Sequence, residues 1–183
     1  MKIIDITQPL FSCSVYPGDP APGFERVKTV AHDGYNLTNL TMCVHNGTHI
    51  DAPRHFIADG AGVGDLPLAV FCGKCVVKEW DGSVPKNCER LLIKGDHVLT
   101  ASDAKKIISA GIKLIGVESQ SIGSAQTSPT LHLLLLGAGI ILLEGLVLSH
   151  VLAGEYTLFA FPLNLGEDCD GSPVRAVLSL PVH

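Results

Sequence analysis

Apolar residues run along the chain in short blocks, some strictly alternating with polar ones, and glycine and proline stand between them. This pattern predicts a series of short strands with two helices. Met1 to Ile6 predicts a first strand, followed by Pro9 and a surface loop, Tyr16-Pro17-Gly18-Asp19-Pro20, dense in turn-forming residues. Leu37 to Val44 alternates as a strand with one covered face would, and it leads directly to His45. Further strands are predicted over Cys75 to Trp80 and Leu91 to Ile93. Thr100 or Ser102 can cap a helix over Asp103 to Ala110, which Gly111 ends. Leu114 to Val117 is a buried strand and Leu131 to Leu136 a helix. Gly137 to Gly139 breaks that helix, and Ile140 to Glu144 resumes as a strand with a carboxylate at its end. Tyr156 to Leu165 and Val174 to Leu180 are the last predicted strands. No repeat, low-complexity tract or polar linker divides residues 1–183, which predicts one domain.

Composition narrows the class. A chain of this size buries roughly 70% of the surface its unfolded form exposes. With 46% hydrophobic and 17% charged residues, 19 Gly and 11 Pro, it suits a compact α/β or β-rich domain. The net charge is −5 and the 13 Lys and Arg are scattered, which excludes a phosphate-holding field and so nucleic acid as a partner. The most apolar stretch, Leu133 to Leu143, is about half the roughly twenty residues that cross a bilayer, so it belongs in the core. No signal-peptide core forms near the N-terminus. The six cysteines, Cys13, Cys43, Cys72, Cys75, Cys88 and Cys169, then read as thiols of a cytoplasmic protein. Cys72 and Cys75 have the spacing of half a zinc knuckle, but no second pair stands at the partner spacing, and they read as small buried residues.

The chemistry concentrates in His45-x-x-x-His49-x-Asp51-x-x-x-His55, which holds three of the eight histidines and a carboxylate within eleven residues. Imidazole with carboxylate is the ligand set of zinc, and of manganese or iron in open catalytic sites. Two histidines four apart often share only a helix face. Here Pro53 rules out a continuous helix and Gly47 lets the backbone turn, so the segment reads as a loop that folds its side chains inward. His132 and Glu144 are ionisable residues in the most apolar part of the chain, where an unpaired charge is costly. Glu144 could bridge two ions while His132 caps one; a buried His–carboxylate hydrogen bond without metal satisfies the same two residues equally well.

The remaining candidates read more plainly. His32, His97, His150 and His183 have no ligand-like neighbours in sequence, although His150 lies close after Glu144. Arg175 could bind a carboxylate near the site or serve the structure of its strand, and Trp80 reads as packing in or near the core.

These motifs resemble those of the cyclase-like metal hydrolases, the family that includes bacterial kynurenine formamidase and isatin hydrolase. The resemblance rests on His45-x-Gly47-Thr48-His49-x-Asp51-x-Pro53-x-His55-Phe56, on His132 followed twelve residues later by Glu144, and on Gly171-Ser172-Pro173-Val174-Arg175-Ala176. It implies an α/β fold, a compact swivelling β/β/α domain with a mixed sheet, assembled as a homodimer or homotetramer. It also implies two divalent ions, zinc first, with manganese and iron as alternatives. His45 and His49 would hold one ion and His132 the other, Asp51 and Glu144 would bridge them, and His55 would carry protons. Tyr16 stands where formamidases commonly carry a tryptophan against the aromatic substrate. The implied reaction is hydrolysis of an amide C–N bond in a small molecule, foremost an aryl formamide such as N-formylkynurenine. Opening of a lactam or lactone ring, as in isatin hydrolase, is the alternative. A binding protein without catalysis would lack a bridging carboxylate or the proton carrier, and Asp51, Glu144 and His55 are all present.

Overall fold

Four strands, β5 (Cys72–Glu79), β6 (Arg90–Lys94), β7 (Leu114–Val117) and β8 (Ile141–Glu144), lie side by side and parallel in the computed structural model, which describes residues 2–180. Parallel neighbours need crossover connections. Helix α2 (Ala101–Ser109) links β6 to β7, and α3 (Ser128–Gly137) links β7 to β8. Antiparallel strands extend both sides: β9 (Gly154–Phe159), β11 (Val177–Ser179) and β1 (Ile3–Asp5) beyond β5, and β4 (His49–Asp51) and β10 (Gly171–Pro173) beyond β8. The result is a nine-stranded mixed sheet in the order β1-β11-β9-β5-β6-β7-β8-β4-β10.

The period of two along each strand divides its side chains between two cores. Leu91 and Ile93 of β6, Ile115 and Val117 of β7 and Leu142 of β8 pack with Ile107 of α2 and Leu131 and Leu135 of α3. Leu92, Leu114, Ile141 and Leu143 point the other way, into a second cluster with Ile6, Ile50, Phe71 and Leu158. The two faces decide where β4 puts its chemistry. Ile50 belongs to the second cluster, so His49 and Asp51, one residue to either side, face the α3 side, as do Leu142 and, two residues on, Glu144.

Helix α2 begins at Thr100, whose hydroxyl accepts from the Asp103 amide while the Asp103 carboxylate accepts from the Thr100 amide. The helix starts at Ala101 and ends at Ser109, a shift of a residue or two from the predicted span. Cys72 and Cys75 are an odd number of residues apart on β5, and all six cysteines are free.

Several predicted elements differ. The alternation in Leu37 to Val44 does not mark a covered face. Strand β3 (Leu37–Thr41) pairs only with β2 (Gly23–Lys28), the two being joined through a single helical turn α1 (Val30–Asp33), and all five of its residues are exposed. It also stops four residues before His45, the intervening chain being irregular and entering a turn at Val44. The motif is not a loop throughout, since His49–Asp51 lie between β8 and β10 in the sheet. Tyr156 to Leu165 is strand only to Phe159, and Pro162 makes an isolated bridge to Val174. The final predicted strand, Val174 to Leu180, is strand only over Val177–Ser179, which pairs with β9 and β1, and a further short strand that the pattern did not predict, Gly171–Pro173, precedes it and pairs with β4. Of the first predicted strand, Met1 lies outside the described residues, as does His183.

Candidate metal centre

Sheet register brings the first two motifs together. Strand β4 runs antiparallel to β8 with His49 directly opposite Glu144, and α3 carries His132 over the same face. His49, Asp51, His132 and Glu144 are all buried at 3% exposure or less. Leaving such groups without partners would cost several kcal/mol for each charge.

Each histidine is oriented by the nitrogen that faces away from the carboxylates. His49 Nδ1 donates to the Gly47 carbonyl at 2.9 Å, and His132 Nδ1 donates to the Ser128 carbonyl, one helical turn earlier, at 2.7 Å. Both Nε2 atoms thereby face inward, toward the carboxylates, where in the neutral ring they would offer lone pairs to a cation. His49 Nε2 lies 3.4 Å from Asp51 Oδ1 and 3.6 Å from Glu144 Oε2; His132 Nε2 lies 3.2 Å from Asp51 Oδ2 and 3.5 Å from Glu144 Oε1. His45 Nδ1 is 2.8 Å from Asp51 Oδ1. Each carboxylate thus faces both histidines, one oxygen to each.

Gly47, at φ 65°, permits the left-handed turn between His45 and β4. Gly171 makes room: a Cβ there would lie 2.6 Å from Cε1 of His45. Thr48 ties the segment to the end of β8, its hydroxyl donating to the Gly145 carbonyl at 2.6 Å and accepting from the Gln8 amide.

The charges are strongly coupled. Burial pulls the His132 imidazole down, but Asp51 and Glu144 outweigh it and raise it to about 10. His45 is raised to about 9 in the same way, by Asp51 and Asp170 against its burial. Burial pushes the Asp51 carboxyl up, yet His132, His45 and His49 hold it well below the usual carboxylate range. Glu144 goes up, through burial and the neighbouring charge of Asp51.

The donor set fits a divalent cation. Asp51 Oδ2 is buried with no hydrogen-bond partner among the described residues, with His132 Nε2 3.2 Å away. An unsatisfied buried acceptor costs about 1–3 kcal/mol, and a cation between these atoms removes that cost. One atom from each of His49, Asp51 and Glu144 lies within 4.8 Å of the others, and so does one from each of His45, Asp51 and His55.

The site opens into a cavity of about 260 Å3, lined also by Tyr16, Asp19, Phe56, Gln120 and Pro129. That is below the roughly 300–1,000 Å3 of drug-sized sites and suits a small molecule. Tyr16 is at the rim, 37% exposed, on the predicted surface loop. All seven residues singled out from the sequence therefore converge on one cavity. His150 instead bonds the Asp5 carbonyl, and Arg175 pairs with Asp5 on the surface.

Three neighbours of the site were not singled out from the sequence. Asp170 accepts from both His45 and His55, Ser128 anchors His132, and Phe56 stacks on the His132 ring at 4.5 Å. Phe56 follows His55 in the motif, Asp170 directly precedes the Gly171 motif, and Ser128 stands four residues before His132. Adjacency was the available signal for each.

Residues 4–115 match the family described as "Putative cyclase". A kynurenine formamidase from Bacillus mycoides is 36% identical over 201 aligned positions, covering 96% of this chain and 96% of its own. The solved structure of a predicted metal-dependent hydrolase from Bacillus stearothermophilus superposes with a TM-score of 0.80 at 26% identity, covering 97% of both chains. Isatin hydrolase A from Labrenzia aggregata has a TM-score of 0.79 at 23% identity, with 98% of this chain and 93% of that one covered, a likeness of fold alone.

Proposed function

The chain belongs to the cyclase family, and from that premise we propose that it is a divalent-metal-dependent hydrolase of a non-peptide C–N bond. Its proposed substrate is an aryl formamide such as N-formylkynurenine, giving kynurenine and formate in tryptophan catabolism. The observation that carries this reading is the facing of His49 and His132, each held by a backbone carbonyl, onto opposite oxygens of two buried carboxylates.

His45 and His49 would hold one ion and His132 the other, with Asp51 and Glu144 bridging. Zinc is our assignment within a ligand set that also suits manganese and iron. Divalent ions bound there acidify water and polarise a carbonyl oxygen. His55, on the cavity wall, takes the proton from the attacking water and returns it to the leaving aryl amine as the C–N bond breaks. Tyr16 at the rim packs on the aryl ring.

Exposed apolar residues on the hairpin, Phe24 at 58%, Leu37 at 44% and Leu40 at 54%, support burial against a second copy and thus a homodimer or homotetramer. The six free cysteines support a cytoplasmic setting. Among the described residues no helix is long and apolar enough to cross a membrane.

Metal-reconstituted protein tests the reading when offered N-formylkynurenine, isatin and simple formamides side by side, with elemental analysis of the loaded protein. Preferred release of formate from N-formylkynurenine with about two ions per chain is expected. Preferred opening of isatin transfers the chain to the lactam branch. Saturation at one ion removes the binuclear mechanism.

A further inference from the structure

Asp170 stands outside the histidine motif, on the residue before β10, and its backbone is pinned on both sides. The Asp170 carbonyl accepts from the Ala52 amide at 2.9 Å, and the preceding Cys169 carbonyl accepts from the Val63 amide at 2.8 Å. Its carboxylate meets two imidazoles through one atom: Oδ2 lies 3.0 Å from His45 Nε2 and 3.0 Å from His55 Nδ1. The two rings are 4.1 Å apart between centroids and inclined by 33°. Donation to the same acceptor explains why two histidines can lie this close.

We propose that Asp170 is a positioning residue that sets the tautomers of His45 and His55 through this one shared oxygen. A carboxylate oxygen only accepts, so both facing nitrogens carry hydrogen. In His55 the hydrogen then resides on Nδ1, and Nε2 is left as the acceptor for the proton of the attacking water. In His45, hydrogen held on Nε2 would leave Nδ1, 2.8 Å from Asp51 Oδ1, to give its lone pair to an ion bound beside that oxygen. When His55 Nε2 takes a proton and later gives it to the leaving nitrogen, Asp170 stays ionised beside the transient imidazolium. The proton count closes with nothing transferred to Asp170. The arrangement separates His55 from His45 although both lie near Asp51. The inference rests on the reading of His55 as proton carrier.

The test uses the zinc-loaded enzyme and its Asp170→Ala and Asp170→Asn variants. Nitrogen-15 spectra of the histidine side chains report which ring nitrogen carries hydrogen, independently of turnover. The wild-type enzyme is expected to show His55 as the Nδ1–H tautomer. Asp170→Ala is expected to lose that signature and to lower kcat by roughly tenfold to a hundredfold, with KM changed by less than threefold. Asp170→Asn keeps an acceptor oxygen and should recover part of kcat and of the Nδ1–H signal; it also serves if the alanine variant does not fold. An unaltered His55 tautomer in Asp170→Ala, or kcat within twofold of wild type, overturns the proposal. So does a zinc loss in which excess zinc restores full turnover, because Asp170 would then act on His45 alone. His55→Ala tells the two ideas apart: normal turnover there removes His55 as proton carrier, while the tautomer spectra still decide what Asp170 holds.

Discussion

His49 and Glu144 are direct cross-strand partners on β4 and β8, with Nε2 3.6 Å from Oε2, so a ladder of backbone hydrogen bonds sets the spacing between two candidate ligands ninety-five residues apart. Sites built on strands hold their geometry better than sites on loops. His55, by contrast, sits on a single 3-10 turn (Pro53–His55) at the cavity wall and is held by Asp170.

That contrast separates ligand from proton carrier. His49→Ala is expected to emerge with depleted metal and to regain part of its activity in excess zinc. His55→Ala is expected to hold metal normally while turnover falls about a hundredfold or more, with no rescue by metal. Metal content of the purified variants is the deciding measurement. A depleted His55→Ala protein that zinc restores would make His55 a ligand.

The raised imidazoles make the metal-free protein sensitive to alkali. Against the pull of burial, Asp51 and its fellow carboxylates raise His45 to about 9 and His132 to about 10. Both lie above the unfolded value near 6.5, so the protonated forms stabilise the fold fully below about pH 6.5 and this is lost as pH rises through about 9 to 10. Chelator-treated protein should therefore melt at progressively lower temperature from pH 7 to 10. Zinc-loaded protein should show a flatter profile, because a cation held by these residues would take the place of the protons. A melting temperature that climbs across that window in the chelated protein contradicts the assignment.

Gly171→Ala should damage the site without touching a ligand. The added Cβ would approach His45 Cε1 to 2.6 Å and the Ile50 carbonyl oxygen to 2.9 Å, and β10 is pinned to β4 by register. We expect a stability loss of about 1–3 kcal/mol from overpacking, together with zinc binding weakened by about tenfold through displacement of His45. Denaturant unfolding and a competitive zinc titration measure the two. Unchanged zinc affinity would mean that His45 is not held by this contact.

Tyr16→Ala tests the rim. If the ring packs on the substrate's aryl group, KM for aryl formamides should rise about fivefold, the equivalent of about 1 kcal/mol of lost contact, while simple formamides are little affected. Equal changes for both substrate types would exclude the packing role.

The distribution of what could be read along the chain follows from the range of the interactions. Motif spacing and hydrophobic period are local, and they located α2, α3, β7 and β8 and singled out His45, His49, Asp51, His55, His132 and Glu144, whereas Tyr16 came only from the family resemblance. The exposed β2–β3 hairpin shows where local pattern misleads: Leu37 to Val44 reads as a strand with a covered face, yet Leu37 and Leu40 remain 44% and 54% exposed. Strand β10 escaped for the opposite reason, since Gly171-Ser172-Pro173 carries no apolar alternation and becomes a strand only by pairing with β4.

The sequence by itself determined which residue types gather in the site and that two buried ionisable groups, His132 and Glu144, had to find partners. Only the tertiary structure decided that β4 enters the sheet between β8 and β10, that His49 stands opposite Glu144, and that Asp170 serves two histidines at once. The reason is physical: a strand's period of two tells which face a side chain takes, but not which strand it will pair with. Asp170 lies 115 residues from His55 and 125 from His45, and no local rule spans that distance.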